Sequence, residues 1–359
     1  MKANLLILAA LIGACFTSCI KDEALNSEAD IISFRLSDEV TFGEPQISNN
    51  DVILFVYRDA DITKLSPVIE VSDGATINPS PSLEYDFTQE ITFTITSENG
   101  KYSKPYTVKA SKNDYHFDFE EWDPKQKNYP ELAGGLWKSG NFGVWFMPPI
   151  GKKDNYPTSP TDECVEGSTA VKLETMEGKE VWGNLYSIFS GSVYYGSFTL
   201  IQQEPARGVR FGQPHPKEKG RPVRMTGYYK YKPGTRFLDK EGNEISGRVD
   251  ECTARAFLYW VPKGLTGTAL NNELLTGVDD ILNSEKVVGI ADLKDCTEKK
   301  EFTPFNLKFE YKKDKEINYD EYDYRLAIVF SSSKRGDFYE GAVGSTMIVD
   351  DVKVICEEF

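Results

Sequence analysis

The residues with the clearest chemical potential are acidic side chains near the end of the chain. Cleavage of a glycosidic bond uses two carboxyl groups that flank the bond. Asp337 and Glu340 lie in one loop between two apolar segments, where rigid strands would hold functional groups in place. They are therefore the first candidates for catalytic acids, and Glu120, Glu121 and Asp350 are also eligible by residue type.

Other signatures of catalysis are missing from the sequence. There is no G-x-S-x-G nucleophile elbow, no H-E-x-x-H zinc motif and no glycine-rich loop for phosphates or nucleotides. In a chain with 56 Asp and Glu residues, most acids only solvate the surface. Hydrolysis therefore ranks below binding as a function.

Tryptophans provide the strongest indication of a binding surface. Sugar rings stack their C–H faces on flat aromatic rings, while their hydroxyls need polar neighbours. Trp137 and Trp145 lie in the segment WKSGNFGVW, and Trp182 begins WGNLY, so all three combine an aromatic ring with glycine and polar residues. We expect these three near a cleft, and Trp260, inside an apolar strand, in the core.

Two adjacent carboxylates, Asp350 and Asp351, interrupt the apolar segment 346–354. Side chains alternate between the two faces of a strand, so the pattern places Asp350 with Ile348, Val352 and Val354. Both faces are then mostly apolar, which predicts a central strand. Carboxylates in such a strand need a partner: a cation, a basic side chain or the solvent at the sheet rim.

Composition restricts the compartment and the class of partner. The formal net charge of −15 disfavours binding to nucleic acid phosphates. Beyond residue 19, four cysteines remain, and they allow three disulfide pairings or four free thiols. The two histidines, His116 and His215, are far from each other and from the cysteines in sequence, which makes a zinc site improbable.

Short alternating segments with turn residues between them predict the elements that would position these groups. Two apolar strands at 326–330 and 346–354, joined by a polar and glycine-punctuated loop, predict a closing hairpin. Further strands are predicted at 31–36, 51–57, 67–71, 91–96, 106–110, 168–173, 197–202, 223–231, 254–261 and 305–311. Only residues 270–282 have a helical pattern.

The closing segment carries a family resemblance. VFSSS at 329–333, GD at 336–337, FYEGAVGS at 338–345 and VDDV at 349–352 resemble the C-terminal signature of the putative carbohydrate metabolism domain of Bacteroidetes lipoproteins. The likeness extends upstream to about Tyr115. It implies a β-sandwich similar to carbohydrate-binding modules and supplies no established catalytic residues.

The resemblance also implies a metal site. Many carbohydrate-binding jelly rolls begin with a Phe-Glu strand and end with an Asp-Asp-Val strand, and the two hold a structural calcium ion between them. The matching residues here are Phe119 and Glu120 with Asp350 and Asp351. Carboxylate oxygens on converging strands suit calcium, which takes six to eight oxygen ligands. An arginine partner or solvent is the competing explanation for these acids.

The first part of the chain has two further resemblances. DITKL at 61–65 and the segment 86–100 resemble the immunoglobulin-like modules at the front of many Bacteroidetes surface lipoproteins, where such a module is a spacer. FTSC at 16–19 looks like a lipobox, after a short apolar signal segment. Cleavage before Cys19 would leave its sulfur to carry diacylglycerol, and KDE at 21–23 resembles a surface-export tag.

Together these observations predict an all-β protein. We expect a lipoprotein signal peptide at 1–18, a tether at 19–30, an immunoglobulin-like sandwich at 31–111 and a larger jelly-roll sandwich at 115–359. The predicted function is that of a lipoprotein at the surface of the outer membrane that binds polysaccharide or oligosaccharide, with a possible structural calcium ion. The alternatives are a glycoside hydrolase or lyase on the same scaffold and a non-catalytic adhesive or structural protein.

Overall fold

The computed structural model describes residues 25–357, except for residues 38, 42–44, 48–49, 57–59, 112–114, 182, 202–204 and 314. Regular structure in the described residues is almost entirely β, so the all-β prediction is confirmed. The predicted signal peptide, Cys19 and Trp182 lie outside the described residues.

The described residues of the N-terminal module form seven strands. They are β1 (Ile31–Arg35), β2 (Gln46–Ile47), β3 (Asp51–Phe55), β4 (Val68–Val71), β5 (Thr76–Asn78), β6 (Ile91–Thr96) and β7 (Ser103–Ser111). Strand β1 pairs with β4, and the other five form one sheet in the order β2-β3-β7-β6-β5. Phe34 of β1 and Phe93 and Ile95 of β6 are fully buried in one apolar cluster, because alternation directs these side chains to the space between the sheets.

The described residues of the larger part of the chain form eighteen strands. They are β8 (His116–Phe117), β9 (Trp137–Ser139), β10 (Thr158–Thr161), β11 (Ala170–Glu174), β12 (Met176–Val181), β13 (Asn184–Phe189), β14 (Ser192–Phe198), β15 (Val209–Phe211), β16 (Gln213–Pro214), β17 (Arg221–Lys232), β18 (Arg236–Leu238), β19 (Thr253–Pro262), β20 (Val287–Asp292), β21 (Lys299–Lys308), β22 (Glu310–Tyr311), β23 (Tyr322–Ser331), β24 (Gly341–Val343) and β25 (Thr346–Glu357).

Two sheets face each other in this part. One has the order β10-β11-β25-β17-β21, with β8 also on β25; the other has the order β15-β14-β23-β19-β20-β22, with β16 and β9 at its side. Met347 and Val349 of the first sheet share a buried cluster with Ile328 and Phe330 of the second. The core of the sandwich therefore lies between the two sheets, as the alternation of both strands requires.

The predicted closing hairpin is wrong. Strands β23 and β25 form where the sequence predicts strands, but β23 pairs with β14, β16 and β19, whereas β25 pairs with β8, β11 and β17. Residues 332–345 therefore carry the chain from one sheet to the other. Local alternation specifies a strand but not its partner, because hydrogen bonding in a sheet joins residues far apart in sequence.

The predicted face of β25 changes partway along the strand. Met347 and Val349 face the core, and so do Val352 and Val354, which have the opposite parity. The register with β17 shifts at this point, and Asp351 has a φ of 47°. An extra residue in the strand, a β-bulge at Asp351, accounts for the change of face. The expected grouping of Ile348 with Val352 and Val354 is therefore incorrect, whereas the central position of β25 is confirmed.

Two short α-helices interrupt the strands in the described residues. Helix α1 (Asn141–Phe146) lies within the segment WKSGNFGVW, for which the sequence predicts no helix, and α2 (Gly267–Glu273) overlaps the predicted helical stretch 270–282 only at residues 270–273. Helix α2 covers the outer side of the eight-stranded sheet, where Leu270 packs with Phe257 and Tyr259. None of the helices in the described part of the chain is long and apolar enough to cross a bilayer.

Candidate functional site

A cleft of about 190 Å³ opens on the outer face of the eight-stranded sheet, beside β14. Alternation along β14 turns Val193 and Tyr195 into the core and Tyr194 outward into the cleft. Four further regions surround Tyr194: helix α1, the hairpin β12–β13, the turn Gly336–Phe338 with Tyr339, and residues 198–200 with 206–209.

Aromatic and aliphatic side chains dominate the lining. The aromatic ones come from α1, β13, β14 and the turn after β23. They are Phe146, Tyr186, Phe189, Tyr194, Phe198 and Tyr339. Tyr186 and Tyr339 meet edge to face with ring centroids 4.8 Å apart, so each ring fixes the orientation of the other.

The hairpin β12–β13 is closely paired next to the cleft. A Cβ atom at Gly178 would lie 1.7 Å from the carbonyl oxygen of Tyr186. The absence of a side chain at Gly178 therefore allows this backbone approach. The pairing fixes the position of β13, from which Tyr186, Ile188 and Phe189 reach the cleft.

A buried carboxylate holds the turn that carries Asp337 and Tyr339. Asp250 is 2% exposed, and its Oδ2 accepts hydrogen bonds from the hydroxyls of Ser333 (2.6 Å) and Ser345 (2.7 Å) and from the Ala342 N–H (2.7 Å). Burial raises the pKa of the Asp250 carboxyl, while these hydrogen bonds favour its ionised form. The serines of the SSS and GS motifs therefore serve to anchor the crossing segment.

The two candidate catalytic acids have different environments. Asp337 lines the cleft, and although the residue is exposed, desolvation raises the pKa of its carboxyl. Glu340 does not line the cleft; it accepts a hydrogen bond from Arg335 Nε at 2.6 Å and lies 3.9 Å from Arg248. The hydrogen bond from Arg335 lowers the pKa of Glu340. Asp337 is the one carboxylate among the described residues of the lining.

Trp137 is not a platform for sugars. Its side chain is 5% exposed and packs in the core, with ring centroids 5.0 Å from Phe117 and 5.3 Å from Phe119. The prediction is wrong because Trp137 opens β9, which pairs with β14, and its ring points between the two sheets. Glycine and polar neighbours in sequence do not report on which face of a strand a ring lies.

Trp145 and Trp182 remain predictions as binding residues. Trp145 is half-buried on α1 and packs against Tyr129 and Phe142; its helix neighbours Val144 and Phe146 line the cleft, but Trp145 does not. Trp182 lies outside the described residues, directly after Val181, which lines the cleft.

Sequence reasoning missed Tyr186, Phe189, Tyr194 and Tyr339 as cleft residues. One available signal was the pair Tyr194-Tyr195, since alternation along a strand must send one ring to each face. Tyr195 is fully buried in the core and Tyr194 lines the cleft. The position of Tyr339 depends on the crossing segment 332–345 and had no local signal.

The carboxylates expected to bind calcium have other partners. Glu120 accepts hydrogen bonds from the backbone N–H groups of Ser168 and Thr169. Asp350, 1% exposed, accepts the N–H groups of Val165 (2.6 Å) and Glu166 (3.2 Å). Both side chains therefore hold the loop before β11 by accepting hydrogen bonds from its backbone N–H groups. Calcium needs surrounding oxygen ligands instead of N–H groups.

Asp351 is also engaged. Its carboxylate lies 2.6 Å from His116 Nε2 and 2.9 Å from Lys353 Nζ. Burial acts to raise the pKa of Asp351, but its hydrogen bonds with Lys353 and His116 outweigh burial and lower it. No three His, Cys, Asp or Glu side chains in the described residues are grouped to hold a metal ion. The carboxylates of Glu120, Asp350 and Asp351 are engaged by N–H groups and basic side chains, and this arrangement does not fit a calcium site.

The opening and closing strands of this part of the chain pair with each other, as the resemblance implies. Strand β8 pairs with β25, with Phe117 opposite Val352 and His116 opposite Lys353. The opening and closing strands of this part of the chain therefore lie side by side, two residues earlier than the Phe119-Glu120 match suggests.

Two family models match the chain. The model described as "Putative carbohydrate metabolism domain" matches residues 106–355, and the model described as "SGBP, N-terminal" matches residues 31–110. No curated protein matches the chain.

Solved structures provide a second comparison. One described as a putative glycoside hydrolase from Bacteroides thetaiotaomicron is 30% identical, covers 94% of this chain and 100% of its own, and superposes with a TM-score of 0.74. Another with the same description, from Bacteroides vulgatus, is 28% identical, covers 68% of this chain and 98% of its own, with a TM-score of 0.56. By the span of the first family model and by the first of these structures, the chain belongs to the putative carbohydrate metabolism domain family.

Proposed function

We propose that this protein is a lipid-anchored, surface-exposed protein that binds glycans in the cleft on the outer face of its eight-stranded sheet. The observation that carries the proposal is the placement of aromatic rings and a carboxylate in one open cleft. Tyr186, Phe189 and Tyr339 offer ring surfaces for sugar C–H groups, and Asp337 and Ser190 offer partners for sugar hydroxyls. Both carbohydrate-related family matches support this assignment.

The presence of one carboxylate in the described lining of the cleft favours binding over hydrolysis. Hydrolysis of a glycoside generally uses two carboxyl groups on either side of the bond. Asp337 lies in the cleft, but Glu340 is held by Arg335 and Arg248 outside the described lining. A single acid can hydrogen-bond a sugar without supporting the two-carboxylate reaction.

Affinity electrophoresis of the protein against a panel of polysaccharides tests the binding proposal. At least one polysaccharide should retard the protein. Tyr186→Ala should reduce the retardation several-fold, because stacking of a sugar on one aromatic ring contributes about 1 kcal/mol. Tyr102→Ala, which removes an exposed tyrosine of the N-terminal module, is the matched control and should migrate like the wild type. Absence of retardation on every polysaccharide would contradict the proposal.

Anchoring is a separate part of the proposal. Thioether attachment of diacylglycerol to Cys19 would place the protein on the outer membrane, with KDE at 21–23 directing it to the cell surface. Labelling of cells with an alkyne fatty acid should mark the wild-type protein and not Cys19→Ala. Label on the variant, or none on the wild type, would contradict the anchor.

Glycoside hydrolysis is the second candidate, since both solved relatives described above are described as putative glycoside hydrolases. One feature of the cleft favours it: desolvation raises the pKa of Asp337, as a general acid requires. Chromatography of the polysaccharides after incubation with the protein separates the two functions. New oligosaccharides that disappear with Asp337→Asn would establish hydrolysis; intact polymer in a retarding glycan supports binding alone.

A further inference from the structure

The two sides of the cleft differ in chemistry. On one side, which we call the polar wall, Tyr186, Ser190, Asp337 and Tyr339 bring hydroxyl and carboxylate groups, next to the apolar side chains of Val181, Ile188 and Phe189. On the other, the apolar wall, the described lining residues are Phe198, Leu200, Ala206 and Val209, whose side chains have no hydrogen-bonding group. A ligand with a polar part and an apolar part therefore complements the cleft best.

The apolar wall is built into the fold. The Phe198 ring packs against Phe142 of α1, with centroids 5.6 Å apart. The Thr199 N–H donates to the Gly208 carbonyl at 2.9 Å, and the Gly277 N–H donates to the Ala206 carbonyl at 3.1 Å. This surface is consequently held in place by backbone hydrogen bonds on both sides.

Tyr194 lies between the walls with an unused donor. The residue is 3% exposed and lines the cleft, and its ring meets Phe211 edge to face at 5.7 Å. Its hydroxyl is buried and has no hydrogen-bond partner. Burial raises the pKa of Tyr194 well above its usual value, so the hydroxyl stays protonated. A buried donor without a partner is unfavourable, and an acceptor that reaches the hydroxyl from the cleft would satisfy it.

The cleft has room to enclose one six-membered ring, so the rest of a larger ligand lies at its open mouth. An engineered apolar cavity of about 150 Å³ holds a benzene molecule, and this cleft measures about 190 Å³. A pyranose against the apolar wall would leave hydroxyls without partners at about 1–3 kcal/mol each. An aromatic ring in the same position gains about 25 cal/mol for each Å² of apolar surface that it buries. An aromatic ring therefore fits the apolar wall better than a pyranose does.

We propose that the cleft recognises glycans that carry an aryl-acyl ester, such as a cinnamoyl group. The aromatic ring packs on Phe198, Leu200 and Val209, the ester carbonyl accepts a hydrogen bond from the Tyr194 hydroxyl, and the esterified sugar lies on the polar wall beside Asp337 and Tyr186. This proposal rests on the glycan-binding function and specifies the class of glycan.

Calorimetric titration of the full chain with methyl cinnamate tests the ester subsite without a sugar. We expect a dissociation constant of about 2 mM or tighter, the affinity that a ligand of twelve non-hydrogen atoms reaches at ordinary efficiency. Methyl glucoside, which has a ring of similar size but is fully hydroxylated, should show no binding at the same concentrations. Val209→Trp, which fills the apolar wall, should abolish binding of the ester.

Tyr194→Phe isolates the hydrogen bond. It should weaken methyl cinnamate binding about fivefold, the value of one neutral hydrogen bond, and leave the melting temperature unchanged or higher, since the free hydroxyl has no partner to lose. Tyr259→Phe is the matched control: its buried hydroxyl donates to the Phe211 carbonyl on the same sheet face. That variant should lower the melting temperature and leave ester binding intact.

The outcomes separate this inference from the proposed function. Retardation on an unesterified polysaccharide without binding of methyl cinnamate would overturn the inference and leave glycan binding in place. Ester binding that Tyr194→Phe does not weaken would also overturn it. Ester binding that depends on Tyr194, with no retardation on any polysaccharide, would support the ester subsite and contradict the glycan-binding function.

Discussion

Burial decides the role of individual residues in this protein more than residue type does. Trp137 and Tyr194 are both largely inaccessible aromatic residues on paired strands, yet Trp137 fills the core and Tyr194 faces the cleft with a free hydroxyl. Residue type correctly predicts that aromatic rings matter here. The face on which each ring lies depends on strand register, which no single residue specifies.

His215 illustrates a buried polar group with a purely structural role. Its Nε2–H donates to the Gly220 carbonyl at 2.8 Å, and its Nδ1 accepts the Tyr115 hydroxyl at 2.7 Å. Because desolvation is the largest influence, the pKa of His215 falls from 6.5 to about 4. The imidazole is therefore neutral in the folded protein at neutral pH, which fits one donated and one accepted hydrogen bond.

This depressed pKa predicts a loss of stability in acid. Between pH 6.5 and about 4, the unfolded chain binds a proton at His215 and the folded chain does not, so acidification favours unfolding. From pH 7 to pH 5 the free energy of unfolding should fall by about 2 kcal/mol from this group. Urea unfolding of the wild type and of His215→Gln at both pH values measures this fall in the free energy of unfolding. An equal loss in the two proteins would contradict the assignment.

At the scale of elements, the crossing segment 332–345 is the feature that determines the site. It joins the two sheets, and its turn presents Asp337 and Tyr339 to the cleft. The sequence predicts both flanking strands, but it suggests a hairpin because the two strands are adjacent in sequence. Asp250, which anchors the segment through Ser333 and Ser345, lies 83 residues before Ser333, so this contact had no local signal.

Removal of the Asp250 carboxylate should loosen this segment. Asp250→Ala leaves buried hydroxyl and N–H donors without a partner, and we expect a loss of about 3 kcal/mol in the free energy of unfolding, together with weaker glycan retardation. Glu251→Ala is the control, because Glu251 forms an exposed ion pair with Lys334 that is worth about 0–1 kcal/mol. Chemical denaturation compares the two, and equal stability would contradict the anchoring role.

The loop before β11 provides a test of the calcium expectation. Glu120 and Asp350 hold it with hydrogen bonds to backbone amides rather than through a cation. Treatment with a chelator should therefore leave the melting temperature unchanged, and added calcium should not raise it. A rise of several degrees with calcium, abolished in Asp350→Asn, would show that these carboxylates bind the ion after all.

At the scale of the whole molecule, alternating apolar residues and turn signals were sufficient to predict an all-β chain, because each strand needs an apolar face. The arrangement of strands into facing sheets, the bulge at Asp351 and the helix α1 were not predictable from local pattern. The cleft depends on the arrangement of strands and on helix α1, which explains why the residues of its aromatic lining were not identified from the sequence.

Contact between the two parts of the chain limits their independence. Ile53 and Phe55 of β3 pack with Leu136, which precedes β9. The N-terminal module therefore touches the segment that leads to helix α1 and the cleft. Binding experiments accordingly use the full chain.

Hydrogen exchange of the full chain with and without each polysaccharide of the panel tests the central claim most directly, because it locates the contact as well as detecting it. We expect a retarding polysaccharide to slow backbone exchange in the hairpin β12–β13, in β14 and in residues 334–343. Protection confined to the N-terminal module or to the six-stranded sheet, or no protection with any polysaccharide, would contradict a glycan-binding cleft.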